Sequence, residues 1–463
     1  MKVTLIDYPQ KGSVNITAAS ARTCYSTKAL KPEAMEKWSG RHDMIKGLFS
    51  SGHHTTIQHP TYVFLLEDVS RFVIWRYLHA HTYYNSDQVS QRYAKISFDS
   101  AYLPKNYDPI KLKKIEDMYS VLEGNYVRIV ELLEEDFKGS DNRVERKIAN
   151  KKAMENARYI LPQNTSANLY HTINLSVLLR YISLSENSLS SFEGGQEFHD
   201  LVKAMEASVL EENPDLKDLF DQARTPNKSE TLKFYDAEEV IGKKINIDEY
   251  IILNKETLKD ITVYGDEDLY QDQSNIYSIF QTPDSTETIS FAYKLSLSAD
   301  AQNQRHRGFT SIKPSIKDEI RKSFDRGSFA VDHYCPSPIT ANEEAKSLFD
   351  QSLGLIKNTL SEIGIDDPYA PYLVPNSYLI PIKETGSITN VIHKFKLRTC
   401  LNAQEEIRFA TDKMISLLKS YGFTSNMLVP PCVLRNRAGV RPICPEGPRF
   451  CGIKEWKLDK YKI

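Results

Sequence analysis

The chain is short of several things that would decide its class at once. No apolar run approaches the length of a membrane-spanning helix. Charge of neither sign dominates: 59 Lys and Arg stand against 61 Asp and Glu, a net charge of −2. A general polyanion binder shows a basic excess, so bulk nucleic-acid binding is disfavoured, while a small phosphorylated ligand needs only a local basic cluster. Six cysteines in 463 residues are too few for a disulfide framework. The opening segment, Met1 to Tyr8, reads as a first strand without an apolar leader, so the expected location is cytoplasmic. The sequence does have length and tyrosine: 463 residues suit two domains of roughly 200 residues each, and 26 tyrosines suit wet pockets or large interfaces.

Periodicity gives an α+β protein rich in helix. Residues 32–50 have helical spacing, with Pro32 at a first helical position and Ser51-Gly52 as a stop. Residues 61–66 are β-prone, and 69–79 read as a helix behind them. Residues 107–136, 142–159, 169–184 and 193–210 have the three- and four-residue apolar spacing of amphipathic helices. Residues 213–232, polar and carrying Pro214, Pro226 and Asn227, read as a linker. The pattern then restarts: a strand over 288–297, a helix from Ser298, and helices over 341–363 and 403–421. The tail from Pro430 reads as irregular. The restart, with a Pro-ended segment in each half (Arg158 to Pro162 and Pro371 to Pro375), predicts two related domains, 1–225 and 226–463.

Two segments carry the chemistry. Arg305-His306-Arg307 sets two forked guanidiniums beside an imidazole, which suits a phosphate or the carbonyl edge of a flavin. Ser90-Gln91-Arg92-Tyr93, after the polar run Asn85 to Gln88, suits a phosphate cradle at an element end. Each alone also fits a solvated surface patch.

Together they resemble the flavin-dependent thymidylate synthases. That family's signature is Arg-His-Arg, seven residues, then Ser, continuing as Ser-Gln-Arg-Tyr. Arg305-His306-Arg307 with Ser315 fits the first part, preceded by Gln302, and Ser90 to Tyr93 fits the second. Gly52 to His59, followed by Tyr62-Val63-Phe64, resembles the segment before the family's strand, and Val69-Ser70-Arg71 its helix start. The signature is therefore split between two fused copies. Counting back from Ser90 gives Ala80-His81-Thr82 where the second copy has Arg-His-Arg. The second copy has Ser315-Ile316-Lys317-Asp318 where the first has Ser-Gln-Arg-Tyr.

The resemblance implies a fold of two family-like halves, each a small antiparallel sheet packed with several long helices. It implies transfer of a one-carbon unit from methylenetetrahydrofolate to C5 of dUMP, with FAD as cofactor and NADPH as reductant. Arg398 matches the arginine that stabilises charge on the uracil ring; its first-half counterpart is Ser185. Arg158 matches a dUMP-contacting arginine and is answered by Pro371. Arg305, His306, Arg307, Thr55, Asn174 and Asn402 would hold flavin. Gln302, Gln88, Ser90, Gln91, Arg92, Arg158 and Ser315 would hold the nucleotide. Carried over as the family pairs them, Gln302 and Arg305 meet Ser90, Gln91 and Arg92 in one pocket, and Arg158 meets Ser315, Lys317 and Arg398 in another, neither complete. A homodimer would reproduce the family's tetramer. The rivals are an inactive flavin- or nucleotide-binding homologue and a flavoenzyme acting on another pyrimidine nucleotide.

Cys432, Cys444 and Cys451 in the tail, and His333 with Cys335, are too loosely spaced for a zinc motif and read as free thiols, with no metal expected. His53, His54 and His59 read as a loop near flavin rather than as metal ligands.

Overall fold

Along residues 61–66 every second side chain is buried: Tyr62, Phe64 and Leu66. That is the period of a strand with one face on a core. The same alternation runs through Ala167, Leu169, His171 and Ile173. These strands are the centres of the first of two sheets in this computed structural model, which describes residues 1–92, 101–141, 143–188, 193–225, 234–260 and 286–459. Tyr93 and, within 233–285, residues 233 and 261–285 lie outside the described residues.

The first sheet has strands β1 (Lys2–Asp7), β2 (Thr61–Ser70), β3 (Asn85–Gln88) and β4 (Ser166–Asn174), in the order β1-β2-β4-β3. The second has β5 (Ile251–Ile252), β6 (Thr288–Ser296), β7 (Phe309–Ile312) and β8 (Leu379–Ser387), in the order β5-β6-β8-β7. All neighbours are antiparallel. Two copies of one strand order, made from different stretches of chain, are the duplication that the restart predicted.

The copies align residue by residue. Ser70 ends β2 and caps the next helix, accepting from Val73 N at 3.0 Å; Ser296 ends β6 and accepts from Ala299 N at 3.1 Å. Asn174 ends β4 and caps the helix Leu175–Ser188, while Ser387 ends β8 and caps Ile388–Arg398. Asn85 faces Thr172 and Thr310 faces Thr385, the same rung of the two sheets. Ser90 and Ser315 then coincide, and Ala80-His81-Thr82 stands where the second copy has Arg305-His306-Arg307. The first copy carries one extra residue after β2, absorbed by a π-helical turn over Ile74–Leu78. It carries another in β2, where a bulge opposite Asn168 puts Asp68 at φ 56°.

By contacts the chain divides into two units. The first comprises the described residues of Met1–Ser90, Ile96–Tyr107 and Gln163–Lys233, the second those of Gln91–Lys95, Asp108–Pro162 and Phe234–Ile463. Unit 1 packs Phe64, Leu66, Val73, Leu178, Phe198, Leu201 and Phe220 into one core under its sheet. In unit 2 the helix Pro109–Lys138 starts at Asp108, whose carboxylate accepts from Ile110 N and Lys111 N at 2.8 and 3.1 Å, with Pro109 at the first helical position. It packs against Ala149–Ala157 and Glu343–Ile363.

Several expected boundaries move. Residues 169–184 are not one helix: 166–174 is β4, because its burial alternates with period two, and the helix begins only at Leu175. The 32–50 helix is interrupted, a 3-10 turn over Pro32–Met35 preceding the helix Arg41–Ser50. The helix expected from Val69 begins at Arg71, because the strand continues to its Ser70 cap. The 142–159 helix breaks at Ile148 and ends as a 3-10 turn, Arg158–Ile160. The linker 213–232 contains a helix, Lys217–Arg224, that buries Leu219, Phe220 and Ala223. Among the described residues no helix is long and apolar enough to cross a membrane.

Candidate active site

The site in unit 2 is built from the end of β6 outward. Glu406, in the first turn of the helix Glu405–Ser420, accepts from both the backbone N and the hydroxyl of Ser296, at 2.6 and 2.5 Å, and from Tyr159 Oη at 2.9 Å. This clamp fixes the helix Leu297–Asn303 against Glu405–Ser420. Burial pushes the Glu406 carboxyl up to about 7. Gln302 leaves the last turn of Leu297–Asn303, and the turn beyond places Arg305 and Arg307 exposed on either side of the buried His306. A Cβ on Gly308 would stand 2.2 Å from Asn390 Oδ1, so a larger residue there must displace the Asn390 side chain.

Arg398 ends the helix Ile388–Arg398 and donates from Nε to His306 Nε2 at 2.8 Å and from Nη2 to Gln302 O at 3.1 Å. His306 must therefore be neutral, with the lone pair on Nε2 and the proton on Nδ1. Burial, with Arg398, Lys394 and His393 nearby, holds it well below the ordinary histidine range. Burial and the charges of Arg92 and Arg305 push Arg398 down to about 10, so it remains a cation at neutral pH.

The first copy's residues in unit 2 meet this wall. Arg92 donates from Nε to Glu155 and from Nη2 to Asn402 O at 2.8 Å. Arg158 donates from Nη2 to Gln404 Oε1 at 2.7 Å and from Nε to Glu155 O at 3.1 Å. Gln404 joins the two sides, also accepting from Gln302 and donating to Tyr159 Oη and to Ser298 Oγ. Gln91 Oε1 accepts from Asn376 Nδ2 at 3.2 Å, and the same amide reaches Arg158 O at 2.9 Å. The charges of Arg92 and Arg305 reach Arg398, and that of Arg92 reaches Arg158. Guanidiniums that repel one another, with the Glu155 carboxylate bonded to Arg92, make a site that favours an anion with several oxygen acceptors.

Two incomplete pockets were expected. The geometry instead joins Gln91, Arg92, Arg158, Gln302, His306, Arg398 and Asn402 in one hydrogen-bonded network, with Arg305 in electrostatic reach. Asn402 enters through its carbonyl, while its side chain donates to Arg449 O. Ser315 serves as a helix cap, accepting from Asp318 N at 3.2 Å. Thr55, Gln88, Ser90 and Asn174 lie in unit 1. Thr55 is exposed before the turn Thr56–Gln58, and Gln88 and Ser90 are half-buried at the end of β3. Asn174 lines a concavity with Gln58, Tyr83, Ser176, Val177 and Arg180. His333 bonds Ser377 Oγ at 3.0 Å through Nδ1. Sequence reasoning gave no role to Glu155, Tyr159, Gln404 and Glu406. Glu155 had a signal: three residues before Arg158, it shares that residue's helix face.

A duplicated α+β unit with an arginine-rich composite site among its described residues is the class that fold and site define. The chain belongs to the family described as "Thymidylate synthase complementing protein", whose model matches residues 4–214 and 275–421, well over half of its length. It is 29% identical over 188 residues to the flavin-dependent thymidylate synthase of Clostridium tetani, covering 39% of this chain and 72% of that one. It is 24% identical over 218 residues to the Sulfurisphaera tokodaii enzyme of the same name, covering 46% and 73%. Among solved structures, a flavin-dependent thymidylate synthase from Helicobacter pylori complexed with FAD and dUMP aligns at 18% identity and a TM-score of 0.34, over 48% of this chain and 99% of that one.

Proposed function

We propose that the protein is an FAD-dependent thymidylate synthase, methylating dUMP to dTMP, and that the unit 2 network is its nucleotide site. The observation that carries this is the convergence of Arg92, Arg158, Gln302 and Arg398 on one network. Arg92 and Arg158 supply donors for a phosphate. Arg398 is fixed by His306 and by the Gln302 carbonyl, so its charge is preorganised towards negative charge growing on a pyrimidine ring. Gln404 holds Gln302 and Arg158 in register. Exposed Arg305 and Arg307, flanking His306 on a glycine-tightened turn, form a donor set that fits the phosphates or carbonyl edge of FAD. The flavin supplies hydride chemistry when bound. The residues named here bind, orient and stabilise charge.

The reading includes NADPH and methylenetetrahydrofolate as co-substrates, a cytoplasmic location and a homodimer equivalent to a tetramer of single-copy chains. Two experiments test it. Purified protein is expected to be yellow, with flavin absorbance bleached by NADPH faster when dUMP is present. The wild-type gene is expected to rescue a thymidine auxotroph, and Arg398→Ala and Arg305→Ala are expected to fail. Colourless protein that cannot be reconstituted with FAD removes the reading; rescue by both variants removes the residue assignments.

A further inference from the structure

Four of the six cysteines come from separate stretches of chain and share one place in unit 2. Cys400 lies two residues beyond Arg398. Cys432 sits on the short helix Pro431–Arg437, and Cys444 and Cys451 on the irregular segment that follows. Asn402 Nδ2 donates to Arg449 O at 2.6 Å, tying the loop two residues past Cys400 to the tail two residues before Cys451. The helix bearing Cys432 packs against the turn Glu455–Lys457. Cys432 is in electrostatic reach of Cys400, Cys444 and Cys451, and Cys451 of Cys444. All six cysteines are free thiols.

The tail also needs something to hold it. Between Arg435 and Asp459 only Glu455 is buried. Ordering backbone costs about 1–2 kcal/mol per residue, and this stretch offsets little of that by apolar burial. Segments with so little core are held by cross-links or metals. The family match ends at residue 421, so residues 435–459 lie beyond it and have a structural problem of their own.

We infer that Cys400, Cys432, Cys444 and Cys451 form a zinc centre that staples the C-terminal tail to the loop 399–404. Zinc takes four thiolates tetrahedrally, and binding exchanges the thiol protons for one Zn²⁺ with no change of oxidation state. Among the described residues no three His, Cys, Asp or Glu side chains stand at ligand spacing, so the gathered thiols must draw in to Zn–S distances of about 2.3 Å. The place of the staple gives it a consequence. It braces Asn402, whose carbonyl holds Arg92, and it lies next to Arg398 in sequence.

The test is elemental analysis of the full-length protein, expressed in zinc-supplemented medium and purified under reductant. The expected result is about one zinc per chain, falling below about a tenth in Cys432→Ser and in Cys444→Ser and unchanged in Cys24→Ser. Cobalt reconstitution of chelator-stripped wild type is expected to give thiolate-to-cobalt charge-transfer absorption, which does not depend on the variants folding. Chelation is expected to speed tryptic cleavage at Arg435 to Lys454. The inference is overturned if wild type carries under about a tenth of a zinc per chain and shows no cobalt–thiolate absorption. Disulfide-linked peptides joining any two of the four after alkylation at lysis also overturn it. None of these readouts depends on thymidylate synthesis.

Discussion

The two copies of the sheet keep the same skeleton and fill the same positions with opposite chemistry. Three residues before the helix cap of the last strand stand His171 and Glu384; seven residues after it stand Tyr181 and Lys394. In the first copy Tyr181 Oη bonds His81 Nε2 at 2.7 Å and lies 3.4 Å from His171 Nε2. Burial pushes the two histidines down to about 4 and about 3, so this interior is neutral. In the second copy the same pair of positions holds a fully buried ion pair, Lys394 with Glu384, which also accepts from Tyr293 Oη and Asn303 Nδ2. Eleven residues past the cap the contrast repeats: Ser185 bonds its own helix at Ile182 O, and Arg398 bonds His306. A duplicated fold can thus keep these matched positions neutral in one copy and charged in the other, while the first copy buries an ion pair elsewhere, Arg76 with Glu193.

The contrast is sharpest at the buried pair. Lys394→Met leaves the buried Glu384 carboxyl without its cation, and is expected to cost about 3–5 kcal/mol of stability. Tyr181→Phe removes only neutral hydrogen bonds and is expected to cost about 1 kcal/mol. Denaturant unfolding of both variants checks this; equal losses would mean that the ion pair has no special weight. Next in size is catalysis. Arg398→Ala is expected to lower kcat by about 10²–10³, some 3–4 kcal/mol, while Ser185→Ala leaves it within about twofold, because Ser185 faces no reacting group. Release of tritium from 5-tritiated dUMP measures both, and a comparable loss in Ser185→Ala would show that the first copy also does chemistry.

Stability should also drift with pH through Glu406. Its folded value, raised by burial to about 7, lies above the unfolded value of about 4.3. The folded state thus binds the proton more tightly, and the stabilisation is full below about pH 4.3 and lost as pH rises through about 7. The size is on the order of 3 kcal/mol by linkage. Unfolding midpoints from pH 4 to 8 check it, with Glu406→Gln expected to flatten that component; an unchanged slope would show that Glu406 does not titrate there. Smaller still, Arg92→Ala is expected to raise KM for dUMP by roughly ten- to hundred-fold, as for loss of charged hydrogen bonds worth about 1.5–3 kcal/mol, with Arg158→Ala similar. A kcat effect without a KM effect would move these arginines from binding to chemistry.

The strand–helix restart and the split signature were legible because both are local patterns. β4 was not: Leu169, Ile173 and Val177 stand four apart, as on one helix face, and only pairing with β2 shows that the period changes at Leu175. The gathering of the arginines into one site was illegible for another reason. It depends on residues 91–92 and 108–162 belonging to the unit that holds the second sheet, and no local pattern reports which copy a helix packs on. Gln404 and Glu406 were hidden because their partners, Arg158 and Ser296, are more than a hundred residues away in sequence.

What the copies share gives the smallest effect and the strictest test of the alignment. Ser70 donates to Glu197 Oε2 at 2.5 Å and caps its helix at Val73, as Ser296 donates to Glu406 and caps at Ala299. Ser70→Ala and Ser296→Ala each remove one cap, worth about 1 kcal/mol, and one hydrogen bond to a buried acid. The losses are expected to agree within about 0.5 kcal/mol, because the partners and the burial are the same. A much larger loss at Ser296 would show that the clamp in the second copy also carries strain from the arginine network beside it. The copies would then differ in their frame as well as in their chemistry.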